Sequence, residues 1–408
     1  MRKKQNKGKI VEYRLEMEKS MNKKEIAEIK KQFIPERSTI TRICGCYVDG
    51  EKNKKAELAQ TFLTLSEEEN FKYYTIFRST LSGTIGKNLL NMEFPMEAEF
   101  TGGTQEFLLK LKNSNLKDDA LLEEFYDKVI ETYDYPQNYY IILIYAAYDV
   151  PGMTKDEIEN EDASEEVYDF ILCSICPVEL SDAGLCYNEL TNNIESRVRD
   201  WVVGAPNHGF LFPAFNDRST DIHSLLYYTK NSEKMQEEFI EQTLGCYTPM
   251  SFKGQKEVFQ EIVKETLGEH CDFETVKTIH ENLNEYVEER KDAKEPPALD
   301  KMDMKRLLEN SGVKTEVLKE FDQHFEEMAP KETKPIFMAA SVASTRSFEI
   351  KTPDVVVKVN PERTDLVETR VIDGREYLMI EVNDSVEING IQVKGSTARL
   401  EEDESMEE

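Results

Sequence analysis

Apolar residues recur along this chain at two spacings, and the switches between them mark out the expected elements. Asn22 followed by Glu25 has the spacing of a capping box, and Ile26, Ile29 and Phe33 then share one helical face until Pro35 ends it. The segment ITRICGCYVDG alternates apolar and polar positions into an Asp-Gly turn, which predicts the first strand of a core. From Glu67 the period changes: Phe71, Tyr74, Phe77, Leu81, Ile85, Leu89 and Met92 return every three or four residues, so a helix is expected through residue 92. YYIILIYAAYDV and FILCSICPV are short unbroken apolar runs, the pattern of partner strands buried on both faces. The polar segment TKDEIENEDASEEV between them predicts a solvated acidic loop, without the glycine and carboxylate spacing of a calcium loop.

A further helix is expected over residues 188–203. GFLFPAF and IHSLLYYTK then flank the polar segment NDRSTD, as two strands or a strand and a helix around an exposed loop, with Pro213 pointing to an edge or bulge. Helical spacing resumes over 233–244 and 255–290, and the charged, double-proline stretch KDAKEPPA reads as a linker. Two helices follow, the first closing at Gly312. Alternating segments centred on Asp373-Gly374 and Asn389-Gly390 predict two tight hairpins. The expected fold is α+β: a basic leader (1–20), a mixed-sheet core (21–290), a linker (291–300), a helical pair (301–330), a hairpin-rich β unit (335–398) and an acidic disordered tail (399–408). No repeat of solenoid period is present.

Charge narrows the partners. With 80 acidic against 51 basic side chains the 408-residue chain carries −29, which opposes nucleic acid and anionic lipid as partners unless basic residues gather locally. The longest apolar run, YYIILIYAAY, falls far short of the ~20 residues of a membrane helix. No secretory signal is evident, so a cytoplasmic location and seven reduced cysteines are expected.

Three constellations invite chemistry. TLSGTIGKNLLN contains the Gly86-Lys87 step of a phosphate-binding loop, but Leu81 occupies the place of the first glycine and Asn88 that of the hydroxyl residue, so a small-residue face or kink is favoured. Cys173 and Cys176, with Cys44 and Cys46, have the composition of a zinc site; on a strand the odd spacing sends Cys173 and Cys176 to opposite faces, which favours buried thiols. The densest polar cluster is Asn216, Asp217, Arg218, Ser219, Thr220, Asp221 and His223. Asp221 is placed to orient the His223 imidazole if that residue begins a strand, Arg218 to clamp an anion, and Ser219 or Thr220 to supply a hydroxyl; loop formation is the competing reading. Arg197 and Arg199 would complete an anion site if they faced Arg218. His208 reads as part of an Asn-His-Gly turn. No metal or cofactor is expected.

MNKKEIAEIKKQF, ITRICGCYVDG, LSGTIGKNLLN, YDVPG, CSICPV, RDWVVGAP, GFLFPAFNDRSTDIHSLLYYTKN and VNPERTDLVETRVIDGREY together resemble a bacterial family, domain of unknown function 4317, over about residues 21–393. The resemblance implies membership and no activity, ligand or catalytic residue. With no nucleophile-base-oxyanion set, metal quartet or nucleotide fingerprint in the sequence, and a β unit behind a linker that suits contact with a protein partner, the expected function is an intracellular binding or interaction protein without enzymatic chemistry. Two alternatives stand beside it. One is a nucleoid-associated or nucleic-acid-binding protein using Lys87, Arg197, Arg199 and Arg218; the other is a hydrolase or transferase built on residues 217–223.

Overall fold

The structure, a computed structural model, describes residues 20–153, 159–291, 293, 296–330, 336–382 and 386–393. The basic leader and acidic tail expected from the sequence lie outside the described residues, as do 154–158 of the acidic loop and 292, 294 and 295 of the linker stretch. The chain divides into two compact units, the larger running to Gln255 and the smaller beginning at Lys256.

The larger unit opens with α1 (Lys23–Lys30), β1 (Ile40–Val48), β2 (Lys54–Thr61), α2 (Glu67–Thr80), β3 (Leu89–Glu93), α3 (Thr104–Asn113) and α4 (Asp119–Thr132). It continues with β4 (Tyr139–Met153), β5 (Glu159–Leu180), β6 (Leu185–Asn188), β7 (Asn193–Ser196), β8 (Trp201–Val203), β9 (His208–Phe212), β10 (Ala214–Asn216), β11 (Ser219–Asp221) and β12 (Ser224–Thr229). Both capping boxes that open α1 and α2 form, Asn22 with Glu25 and Ser66 with Glu69.

An antiparallel sheet in the order β2-β1-β4-β5-β9-β12-β3, with β8 beside β5, is the backbone of this unit. β4 and β5 pair as their composition predicts, Ile141 opposite Ile175 and Leu143 opposite Cys173. Their unbroken apolar runs follow from burial on two sides. Ile141, Leu143 and Tyr145 pack with Leu108, Phe125 and Val129 of α3 and α4, while Ile142, Ile144 and Ala146 pack with Ile26, Ile29 and Phe77 of α1 and α2. Close seating of α2 depends on Gly209. A methyl there would overlap the Cys173 carbonyl and the Thr80 side chain, whose hydroxyl is 2.7 Å from Ser174 Oγ in the core.

Three expectations are corrected. The helix from Glu67 ends at Thr80, and the apolar period that ran on to Met92 passes through a turn into β3. The acidic segment is already strand from Glu159. Residues 188–203 are the β6–β7 hairpin and β8 rather than a helix.

The smaller unit takes most of α5 (Phe252–Leu267), then α6 (Phe273–Glu289), β13 (Ala298–Leu299), α7 (Lys301–Asn310), α8 (Phe321–Met328), β14 (Phe337–Met338) and α9 (Ala339–Val342). Three hairpins follow: β15 (Phe348–Lys351) with β16 (Val356–Val359), β17 (Val367–Ile372) with β18 (Arg375–Ile380), and β19 (Val386–Ile388) with β20 (Ile391–Val393). The last two turn at Asp373-Gly374 and Asn389-Gly390, all four residues at positive φ, as their sequences predict. Among the described residues no helix is long and apolar enough to cross a membrane.

Candidate functional site

The polar loop singled out in the sequence is a two-residue hairpin. β10 and β11 pair Asn216 with Ser219, leaving Asp217 and Arg218 as the turn, both at positive φ. An arginine in the left-handed region is unusual. It is held there by its side chain: Nε and Nη2 of Arg218 both donate to the Glu28 carboxylate of α1, at 2.9 Å for the shortest contact, and Nη2 also reaches the Pro151 carbonyl at 2.9 Å. Tyr148 donates to the same carboxylate at 2.9 Å. Arg218 thus ties α1, β4 and the hairpin together, and its guanidinium is occupied.

Behind the turn, a cleft of about 560 Å³ opens between the hairpin and the end of β3. Glu93, Phe94 and Glu99 form one wall; Asp217, Asp221 and His223 stand on the other. His223 is two-thirds exposed, and its Nδ1 lies 2.7 Å from Glu99 Oε1. Its backbone is fixed on both sides, since Phe94 N donates to the His223 carbonyl at 2.9 Å and Gln105 Nε2 to the Ile222 carbonyl at 2.9 Å. Asp221 does not orient the imidazole, contrary to the sequence expectation. One of its oxygens accepts the His223 backbone N–H at 3.0 Å, and the other accepts from Asn216 Nδ2 at 2.6 Å and Ser224 Oγ at 2.9 Å. His223 itself precedes the strand that begins at Ser224.

The hydroxyls are committed elsewhere. Ser219 Oγ donates to Glu166 at 2.8 Å, and Thr220 N donates to the same carboxylate at 3.1 Å. Burial pushes Glu166 up, but the donors of Ser219 and Thr220 outweigh it and hold its carboxyl below the usual range. A nucleophile activated by His223 is therefore absent among the described hydrogen bonds. The cleft brings together Asp217, Ser219, Asp221 and His223 of the sequence candidates. It adds Glu93 and Glu99, which no local pattern marks, because Glu99 meets His223 across 124 positions.

Arg197 and Arg199 do not join Arg218. Arg199 Nε donates to the Ser181 carbonyl at 2.6 Å beyond the C-terminal end of β5, whereas the β10–β11 hairpin docks on Glu166 at its other end. The 14 intervening residues of an extended strand span about 45 Å, so the three-arginine anion site does not form.

The Gly-Lys loop follows a helix and precedes a strand, the reverse of a phosphate-binding loop. Its amides are turned inward: Gly86 N donates to Leu89 O at 2.8 Å, and Lys87 N and Asn88 N to Thr84 O at 3.1 and 2.8 Å. The Lys87 ammonium lies 5.3 Å from the centre of the Phe252 ring.

Cys173 and Cys176 face opposite sides of the sheet, Cys173 in the core with Cys44 and Cys46 and Cys176 in the other. Burial pushes the Cys46 thiol up to about 12 and raises Cys44, Cys173 and Cys176 as well, so these sulfurs stay protonated. Among the described residues no cluster of three or more His, Cys, Asp or Glu is placed to hold a metal. His208, expected in a turn, opens β9 and is buried: its Nε2–H donates to the Lys234 carbonyl at 2.9 Å, leaving Nδ1 to accept from the Tyr133 hydroxyl at 2.8 Å.

A family model described as a domain of unknown function, DUF4317, matches residues 21–391, from just before α1 to the last hairpin. The chain belongs to this family. Among curated proteins nothing matches. The DUF4317 match takes in α1, the β10–β11 hairpin and the cleft alike, so Glu28, Arg218, Glu99 and His223 all lie within the family's own extent.

Proposed function

We propose that the protein is a non-enzymatic binding protein whose cleft accepts a cationic group, an ammonium or guanidinium, from a protein partner or ligand. The observation that carries this reading is the lining: Glu93, Glu99, Asp217 and Asp221 contribute carboxylates, and among the described residues no lysine or arginine lines the cleft. Oxygen acceptors converging on a partly enclosed space suit a multidonor cation. The net charge of −29 adds a long-range attraction of the same sign. Nucleic acid is disfavoured by the same field, and Arg197 and Arg199 lie far along the sheet from Arg218.

One observation favours the enzymatic alternative. The His223–Glu99 pair has the geometry of an oriented general base. Its weakness is that Ser219 and Ser224 donate to carboxylates rather than to the imidazole.

Titration calorimetry with an arginine-rich peptide tests the proposal. Binding should weaken at least ~10-fold in the Glu99→Gln, Asp221→Asn double variant and fall as salt rises, while Arg197→Ala leaves it unchanged. Equal affinity in wild type and double variant would overturn it. Turnover lost in His223→Gln at unchanged melting temperature would favour the enzyme.

A further inference from the structure

Residues 185–203 form an arm that exposes its apolar side. On the β6–β7 hairpin, register places Tyr187 opposite Ile194, and Leu185 shares their face two residues away. All three are exposed, Leu185 at 77%. Leu190 at the tip is 97% exposed, Val198 81% and Trp201 57%. The opposite face is polar and internally bonded, with Asn188 Nδ2 and Thr191 Oγ1 both donating to Glu195.

A two-stranded hairpin is marginal in water unless something covers its apolar side. Among the described residues β6 and β7 pair only with each other. From these exposures the arm presents roughly 900 Å² of apolar-residue surface, about what one partner contributes to a standard interface. At the arm's root, Trp201 and Val203 join Tyr47, Leu58, Tyr140 and Val178 around a mainly apolar groove of about 290 Å³, in whose lining Glu57 is the one charged residue among those described.

We propose that this surface is covered by a second copy of the chain, two arms packing antiparallel about a two-fold axis so that Leu190 of each fills the groove of the other. An exposed apolar tip and an apolar groove one arm's length away are complementary across a two-fold axis, and a hairpin cannot reach its own root. Charge permits the pairing. Residues 181–203 hold four acids (Asp182, Glu189, Glu195, Asp200) and two arginines (Arg197, Arg199), a net −2. Most of the −29 therefore lies outside the contact, and Arg197 can face the acids of the opposing arm.

Trp201 is the only tryptophan, so its emission reports the groove. Sedimentation velocity of the full chain over about 1–100 µM, with fluorescence on the same samples, tests the proposal. A dimer is expected, with Trp201 emission shifting to the blue as it forms. Leu190→Asp with Val198→Asp should weaken dimerisation at least ~100-fold with unchanged circular dichroism and melting temperature at monomeric concentration, since both side chains are exposed. A monomer throughout, or a dimer indifferent to both substitutions, would overturn the proposal. So would a blue shift of Trp201 only on adding a different protein.

Discussion

Arg218 and His208 show how a side chain's meaning depends on what lies across the sheet from it. In sequence Arg218 sits among Asp, Asn, Ser and Thr and reads as an anion clamp; in the fold its anion is Glu28, 190 positions away. Arg218→Ala removes one member of a mostly buried pair, and a loss of about 2–4 kcal/mol in denaturant unfolding is expected. A change under about 0.5 kcal/mol would contradict the tie. Burial holds the His208 imidazole down at about 4, against 6.5 for an exposed one. The unfolded chain therefore takes the proton more readily. Stability is fully present above pH 6.5 and is lost between 6.5 and 4, on the order of 3 kcal/mol. Unfolding measured at pH 7 and 4.5 should show a steeper loss in wild type than in His208→Gln. Neither role was legible locally, because each partner comes from a distant strand or helix.

At the scale of elements, what the sequence disclosed was what depends on near neighbours. The Asn22–Glu25 cap, the Asp373-Gly374 and Asn389-Gly390 turns and the pairing of two doubly buried strands all formed as read. Misreadings arose where apolar spacing had another cause. Leu190, Ile194, Val198 and Trp201 fall at helical intervals, yet Asn192 at positive φ turns the chain and the same residues face solvent on an arm. Leu81, Ile85 and Leu89 continue the period of α2 only because a turn carries them back over the same core. The seat of α2 makes its own prediction. Gly209→Ala forces a methyl against the Cys173 carbonyl, and a loss of about 1–3 kcal/mol is expected in thermal or denaturant unfolding. An unchanged midpoint would show that α2 can shift without cost.

At the largest scale, within the unit that runs to Gln255, one antiparallel sheet buried on both faces fixes the cleft at one end of β5 and the apolar arm at the other. The α+β class was legible from the alternation of periods. The cleft was half legible: its loop residues were marked by polarity, while Glu93 and Glu99 entered only through the pairing of β3 with β12. The acidic balance belongs to this scale too, since it sets which partners approach at all. Hydrogen exchange on the full chain, with and without an arginine-rich peptide, locates the binding directly. Slowed exchange confined to residues 94–99 and 216–224 is the predicted result. Unchanged exchange in both segments under saturating peptide, or protection of residues 185–203 instead, would contradict the account.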